Sequence, residues 1–415
     1  MLAFAATIVA ARSLDSSQLA AFGVGLAVNS LAVQLSDFGL NTLTVAETAP
    51  AWASGAEVAS LAKLRQIAVR RVAAAVAVSA LLIGISYAIH DFEPYRSAFA
   101  VSGVGAVLGT PSLFAIASLQ AARQFGLASV ILVGVGVVRF AGVALAAALG
   151  MGATSMLAGY AVAGPLVGGV LGLVFLHRRS AHGVSALLSP REEAYLDRGM
   201  TRTTAITATL GAGLLNLDVL VLALVASEHQ VAIYVAAWRI AAGVLLFDTA
   251  IANAVLPYVF LAQDVWTETK RLARFGLLIA GGLLLVTPLL TVAGLFLLGG
   301  AGHGAAAPLV LLLVAFSLDA FVFATYQVYY RLRYFRFVIG LSVTELIAML
   351  AFTLLLRQQG ALAPAIGQLA ARLFAFGTIA VPILAQRMGL GDWFSKRPSP
   401  GRPRAGFAAE SQSLR

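Results

Sequence analysis

Apolar residues occur along this chain in long unbroken blocks, without the one-sided or alternating pattern of a water-soluble fold. A block that crosses a bilayer as a helix needs about 20 residues. Such blocks predict spans at about 19–42, 67–89, 98–120, 126–149, 153–176, 201–226, 230–258, 272–298, 305–330, 337–356 and 360–384, after a shorter apolar stretch at about 1–12. The alternating segments of a membrane β-barrel are missing. The predicted fold is therefore all-α, a polytopic membrane protein of about 12 transmembrane helices.

Polar interruptions divide this pattern. The longest, His177–Met200, contains Ser189-Pro190-Arg191-Glu192, a capping-box spacing with Pro at the first helical position. It predicts a surface helix joining two six-helix lobes, residues 1–176 and 201–384, across a linker at 177–200. A lead-in amphipathic helix is expected over Glu57–Arg71. Residues 385–415 lose the apolar pattern and gain Pro398, Pro400, Pro403 and basic residues, which predicts a disordered basic tail that anchors on an anionic leaflet. The two halves carry a weak repeat. Q-L-A-A-F-G before L-S-D (18–37) pairs with Q-V-A-I-Y before L-F-D (230–248), and Q-A-A-R-Q-F (120–125) pairs with Y-R-L-R-Y-F (330–335). Paired bundles of this kind enclose a central cavity near mid-membrane. At 1.5 Å per residue the first stretch is too short to cross. Met1 already lies inside apolar sequence, so the start reads as truncated, and no basic segment precedes it to make a secretory signal.

Composition agrees with the pattern. Hydrophobic residues make up 60% of the chain and charged residues 11%, with a mean hydropathy of +0.91. A soluble domain carries about 25% charge, so a soluble enzyme is excluded. There is no cysteine, which removes disulfides and thiolate metal sites.

The net charge of +10 is a topology signal. Of the 28 Lys and Arg, 22 fall in one set of alternate connections and in the tail, from Lys63 and Arg65 to Arg404 and Arg415. Only Arg12, Arg96 and Arg357 fall in the other set. Positive residues favour the cytoplasmic side. This predicts a multi-pass protein of the cell inner membrane with both termini cytoplasmic, and it gives no support to nucleic-acid binding.

No P-loop, dinucleotide fingerprint, H-E-x-x-H or G-x-S-x-G occurs. The five histidines lie in connections without metal-ligand spacing. No catalytic residue, metal site or cofactor is predicted, and the chain is not read as an enzyme. Gly164-Pro165, Gly168-Gly169 and Gly172 have the small-residue spacing of close helix packing or a bend.

The informative residues are the charges inside spans: Arg139, Arg239 and Arg372, with Asp37, Asp218, Asp248, Asp319 and Glu345. Each costs about 2.5–3.5 kcal/mol at a helix centre and so faces a cavity or a partner. Internal ion pairs are one reading. The other assigns the arginines to an anion, because a guanidinium pairs with phosphate through two hydrogen bonds and keeps its charge. Arg239 and Asp248 lie about 180° apart on a helix and cannot pair with each other. The interior acids outnumber the arginines, so they are also candidates for cavity lining and for coupling to a cation.

The stretch A-R-S-L-D-S-S-Q-L-A-A-F-G-V-G-L-A (11–27), leading to L-S-D-F-G-L (35–40), resembles the opening of bacterial polysaccharide flippases. N-L-D-V-L-V-L (216–222), V-A-I-Y-V-A-A-W-R-I (231–240) and L-P-Y-V (256–259) are similar to the corresponding stretches of their second half. These flippases belong to the multidrug/oligosaccharidyl-lipid/polysaccharide exporter superfamily. The resemblance implies two six-helix lobes that open alternately to either side. It implies a substrate of lipid-linked oligosaccharide, a sugar repeat unit on undecaprenyl pyrophosphate, with the lipid bilayer, a polysaccharide polymerase and glycosyltransferases as partners. It further implies basic cavity residues on the anionic head group. Arg239 sits in a family-like motif, whereas Arg139 and Arg372 qualify by depth. The short first span and the net-negative interior depart from the pattern.

A cation-coupled multidrug exporter of the same superfamily is the alternative. A peptidoglycan-precursor flippase would carry two further helices. A membrane glycosyltransferase or polymerase would need a long extramembrane loop.

Overall fold

The computed structural model describes residues 2–37, 40, 44, 57–179, 198–261, 265–302, 304–331 and 334–387. Most of the expected linker helix and nearly all of the tail lie outside them, as does the side chain of Asp248. Among the described residues there are twelve long helices and no strand. They are α1 Leu2–Ser13, α2 Ser16–Asp37, α3 Glu57–Ala88, α4 Arg96–Ala121 and α5 Phe125–Ala148. Next comes α6, whose segments Ala153–Ala158 and Gly164–Arg179 are joined by a π-helical turn, Gly159–Ala163. The second half comprises α7 Arg198–Val225, α8 Glu228–Leu261, α9 Val265–Leu298, α10 Ala306–Arg331, α11 Phe335–Leu355 and α12 Leu362–Arg387.

Ten of these are long and apolar enough to cross a membrane, and α1 is a shorter apolar helix. The lead-in helix expected before the third span is continuous with that span in α3. His177 and His229, expected in connections, fall in the last turns of α6 and the first turn of α8.

The helices put apolar side chains outside. On α9, Leu278, Leu285, Leu289, Val292 and Phe296 stand exposed on one stripe, Leu285 to 84%. Water would penalise that stripe, and hydrocarbon accepts it. Polar groups turn inward instead. Ser102 donates to the Gly25 carbonyl at 2.6 Å, Asn29 donates to the Ser102 carbonyl at 3.1 Å, and Ser79 donates to the Gly103 carbonyl at 3.0 Å. These bonds tie α2, α3 and α4 where no hydrophobic force acts between helices.

The repeat is visible in the packing. In the first lobe α4 packs on α2, α3 and α6, while α5 packs on α1 and α6. In the second, α10 packs on α8, α9 and α12, while α11 packs on α7 and α12. Each partnership recurs six helices later. Between the lobes, α2 packs on α7 and α8, and α1 packs on α8. The largest apolar core therefore crosses the lobe boundary, joining Val24, Ala27 and Leu31 of α2 to Val219 and Leu222 of α7 and Val235 of α8.

Two side-chain links fall at one end of this boundary. Arg12 donates from Nε to the Leu297 carbonyl at 2.8 Å and from its Nη2 to the Phe296 carbonyl at 2.9 Å. His229 Nδ1 and Ser16 Oγ are 3.3 Å apart.

Candidate functional site

Arg139 stands on the inward stripe of α5. Ala128, Ile131, Val135, Val143 and Ala146 recur at three- and four-residue spacing on the buried face, and Arg139 falls among them. Val130, Val133, Val137 and Leu145 are exposed on the far side. The guanidinium lies over the Tyr160 ring, 4.7 Å from its centroid, and Nε donates to the Tyr160 carbonyl at 3.2 Å. Tyr160 belongs to the π-turn of α6. The turn has a local cause, since Pro165 has no N–H to return to the Ala161 carbonyl. That carbonyl points instead at Gly105 of α4, where a side chain would collide with it. Gly142 and Gly159 bring the backbones of α5 and α6 into contact beside the turn. Gly168 and Gly172 then pack on Ser112 and Ala115 of α4, the close approach expected from their spacing.

Arg239 reaches the same neighbourhood from the other lobe. It lies half-buried on α8 within an otherwise buried stretch, residues 231–241. Its guanidinium carbon is 4.8 Å from the centroid of the Trp238 ring. Among the described residues, neither its Nε nor the indole Nε1 of Trp238 has a hydrogen-bond partner. One turn before it, Val235 presses on Gly23 of α2, and Phe22 of α2 meets Tyr160 edge to face at 6.5 Å. Two adjacent residues of α2 thus touch Tyr160 in the first lobe and Val235 in the second, while Trp238 packs edge to face on Phe316 of α10. Arg239 lies within electrostatic range of Tyr160 and of Asp218.

Arg372 has a different setting. Its Nε is 3.0 Å from Asp319 of α10, and its Nη1 donates to Glu345 of α11 at 3.0 Å. All three residues are buried, Asp319 completely. Depth alone had grouped Arg372 with Arg139 and Arg239; the structure holds it inside the second lobe against two carboxylates. Asp218 is also fully buried there. It accepts from Tyr234 Oη at 2.5 Å, from Gln368 Nε2 at 2.8 Å and from the Val219 N–H at 2.7 Å. Gln368 and Arg372 are four residues apart on α12, so one helix face carries both arrangements. Asp37 pairs with Arg71 of α3 at 2.7 Å, at the opposite end of α2 from Ser16. Neither Asp218 nor Asp319 lies on the lipid-facing perimeter. Asp248 is on α8, with its side chain outside the described set.

Sequence reasoning missed Tyr160, Trp238, Tyr234, Gln368 and Arg71. Only Pro165, near the start of a glycine-rich stretch, hinted at the local break that presents Tyr160. A shallow cleft of about 580 Å³ lies elsewhere, lined by His90, Asp91, Glu93 and Glu228 where the α3–α4 and α7–α8 turns meet.

Two lobes of six helices, repeated and joined along α2, α7 and α8, make up the fold. It matches an inward-facing multidrug resistance MATE family transporter of the MOP superfamily at TM-score 0.67 and 15% identity, covering 94% of this chain and 96% of the other. It matches the lipid II flippase MurJ in an inward closed conformation at TM-score 0.65 and 11% identity, covering 94% and 89%. An outward-facing MATE family transporter matches at TM-score 0.56 and 14% identity, covering 93% and 90%. Comparison with curated proteins finds no match. A sequence model described as "Polysaccharide biosynthesis protein" matches residues 1–263, and the chain belongs to that family.

Proposed function

We propose that the protein is a flippase that moves undecaprenyl-pyrophosphate-linked oligosaccharide repeat units from the cytoplasmic to the periplasmic leaflet by alternating access. The observation that carries this reading is that Arg139 and Arg239, one from each lobe, both lie within reach of Tyr160 in a chain of the polysaccharide biosynthesis family. By the 1.5 Å rise, Arg139 sits about 14 Å and Arg239 about 16 Å from their nearer helix ends, too deep for an easy reach to the interface. Pyrophosphate is common to every substrate of this class, and a guanidinium binds it with charge-assisted paired bonds. Arg372 supports that surface indirectly, through the packing of α10, α11 and α12.

The distribution of Lys and Arg puts Ser16 and His229 at the periplasmic end. The lobes then meet on the periplasmic side, as suits a state that receives substrate from the cytoplasmic leaflet. Both termini, the linker at 177–200 and the basic tail at 385–415 are cytoplasmic in this reading. The polymerase and glycosyltransferases of the same pathway are the partners, and the inner membrane is the location.

The test is complementation. A bacterium lacking its own flippase and supplied with this chain and its neighbouring glycosyltransferase genes should regain surface polysaccharide. Failure with the protein present in the membrane overturns the reading.

Cation-coupled drug export is the second reading. It draws on the C-lobe acids: Asp319 and Glu345 face one Arg372, and Asp218 is held by Tyr234 and Gln368 without a short ion pair among the described residues. Excess buried negative charge invites a proton or a monovalent cation. Drug efflux driven by an ion gradient, with no polysaccharide, would favour it.

A further inference from the structure

We propose that the end of the molecule where the turns of the two lobes meet carries a binding site for free oligosaccharide, a polar trough that forms only while the lobes are together there. The inference rests on the flippase reading and deepens it, by giving the exported sugar a second place on the protein, far from Arg139 and Arg239.

Three observations carry it. The first is that one surface is built by both lobes. The 3-10 turn His90–Tyr95 joins α3 to α4 and packs on α7 of the other lobe. The cleft of about 580 Å³ lies between that turn and the α7–α8 turn. A second cleft of about 270 Å³ is lined by Gln230 and the α11–α12 turn, and Ala226 and Ser227 line both. Gln230 sets the floor of the second cleft. Its amide oxygen accepts the Ala361 N–H at 2.9 Å, and Gly360, with a φ of +58°, has no room for a side chain against it.

The second observation is Tyr95. It lines the larger cleft and is only 2% exposed, yet its hydroxyl has no hydrogen-bond partner among the described residues. Glu228, from the other lobe, lies within electrostatic range of it. A buried phenol usually finds a partner, and one left without is destabilising.

The third is the mixture of groups. Asp91 and Glu228 supply carboxylates in the larger cleft, and Arg357 and Gln358 supply a guanidinium and an amide in the smaller. An organic cation suits only the first set and a phosphate only the second. Sugar hydroxyls both donate and accept, so an oligosaccharide satisfies both sets and Tyr95 as well.

Sugar bound in the trough favours the arrangement in which the lobes meet at this end, by its differential affinity for that state. Exported product that accumulates outside therefore restrains the opening that would deliver more of it.

The full chain in lipid nanodiscs is titrated calorimetrically with the carrier-free repeat-unit oligosaccharide, released by mild acid from the lipid-linked pool of the complemented strain. Spermidine and inorganic phosphate are the controls. The oligosaccharide should bind saturably and the phosphate should not. Tyr95→Phe, which removes one hydroxyl and keeps the ring, should weaken binding by about tenfold. Gln358→Ala, in the other cleft, should weaken it several-fold. Wild-type affinity in both variants, with unchanged thermal unfolding, overturns the site. Saturable binding of spermidine without binding of the oligosaccharide shows an acidic patch only, and overturns it too. The link to the lobes is read from Leu222→Cys, in the buried boundary core on α7. Saturating oligosaccharide should slow its labelling by a maleimide several-fold, and an unchanged rate overturns the restraint. Polysaccharide complementation run in parallel separates the failures. Export without oligosaccharide binding sinks the trough and leaves the flippase reading standing; drug efflux without export sinks the flippase reading itself.

Discussion

Gly23 of α2 faces Val235 of α8 so closely that a Cβ on the glycine would run into both methyl groups of the valine. This is a contact between lobes, one turn from Arg239. Any side chain at position 23 therefore forces α2 and α8 apart. Gly23→Ala should destabilise this arrangement by about 1–3 kcal/mol, the range for overpacking. Val235→Ala in the same chain should restore much of it. Thermal unfolding of the purified protein, read beside polysaccharide export, checks both variants, and equal unfolding of Gly23→Ala and wild type would refute the contact.

Arg372 and Arg239 should separate cleanly. Removing one partner of a buried ion pair costs about 3–5 kcal/mol. Arg372→Gln should thus lower the yield and melting temperature of the folded protein, with partial rescue by Glu345→Gln. Arg239→Gln should leave folding intact and abolish export. Membrane abundance and melting of the three variants give the answer. Normal melting of Arg372→Gln would show that its carboxylate partners need no counter-charge.

Arg12 caps the end of α9 from across the lobe boundary, through the carbonyls of Phe296 and Leu297. Arg12→Ala should loosen that end and favour opening there. The chain has no cysteine, so Val24→Cys, placed in the buried boundary core, is a clean probe. A maleimide reagent should label it several-fold faster in the Arg12→Ala background. Unchanged labelling would make the Arg12 contact incidental.

Topology is checked by reporter fusions at Ala181 and Glu228, which should report opposite compartments. A matching pair would refute the parity of the spans.

The helices were legible because hydropathy is local. The span expected at 126–149 is α5, Phe125–Ala148, and the one expected at 337–356 is α11, Phe335–Leu355. Arginine within an apolar block was equally plain. What each arginine touches was not. Arg372 meets Glu345 across 27 positions and Gln368 meets Asp218 across 150. Those distances depend on how helices are rotated and shifted against one another, a relation that no single span encodes. Tyr160 was invisible for another reason: its position depends on one irregular turn, which barely alters hydropathy.

That turn puts α6 out of phase with itself. A π-turn adds a residue to the helix, so side chains beyond it lag by about 100°. Before it, Met156 and Leu157 fill the core with Phe22 and Leu26 of α2. After it, Gly168 and Gly172 mesh with Ser112 and Ala115 of α4. A regular helix of the same sequence could satisfy one of these neighbours but not both. α6 works as two gears on one shaft, set at different angles. Deleting a single residue between Gly159 and Ala163 would realign the teeth, leave the span apolar and of crossing length, and disengage α6 from either α2 or α4 within the first lobe.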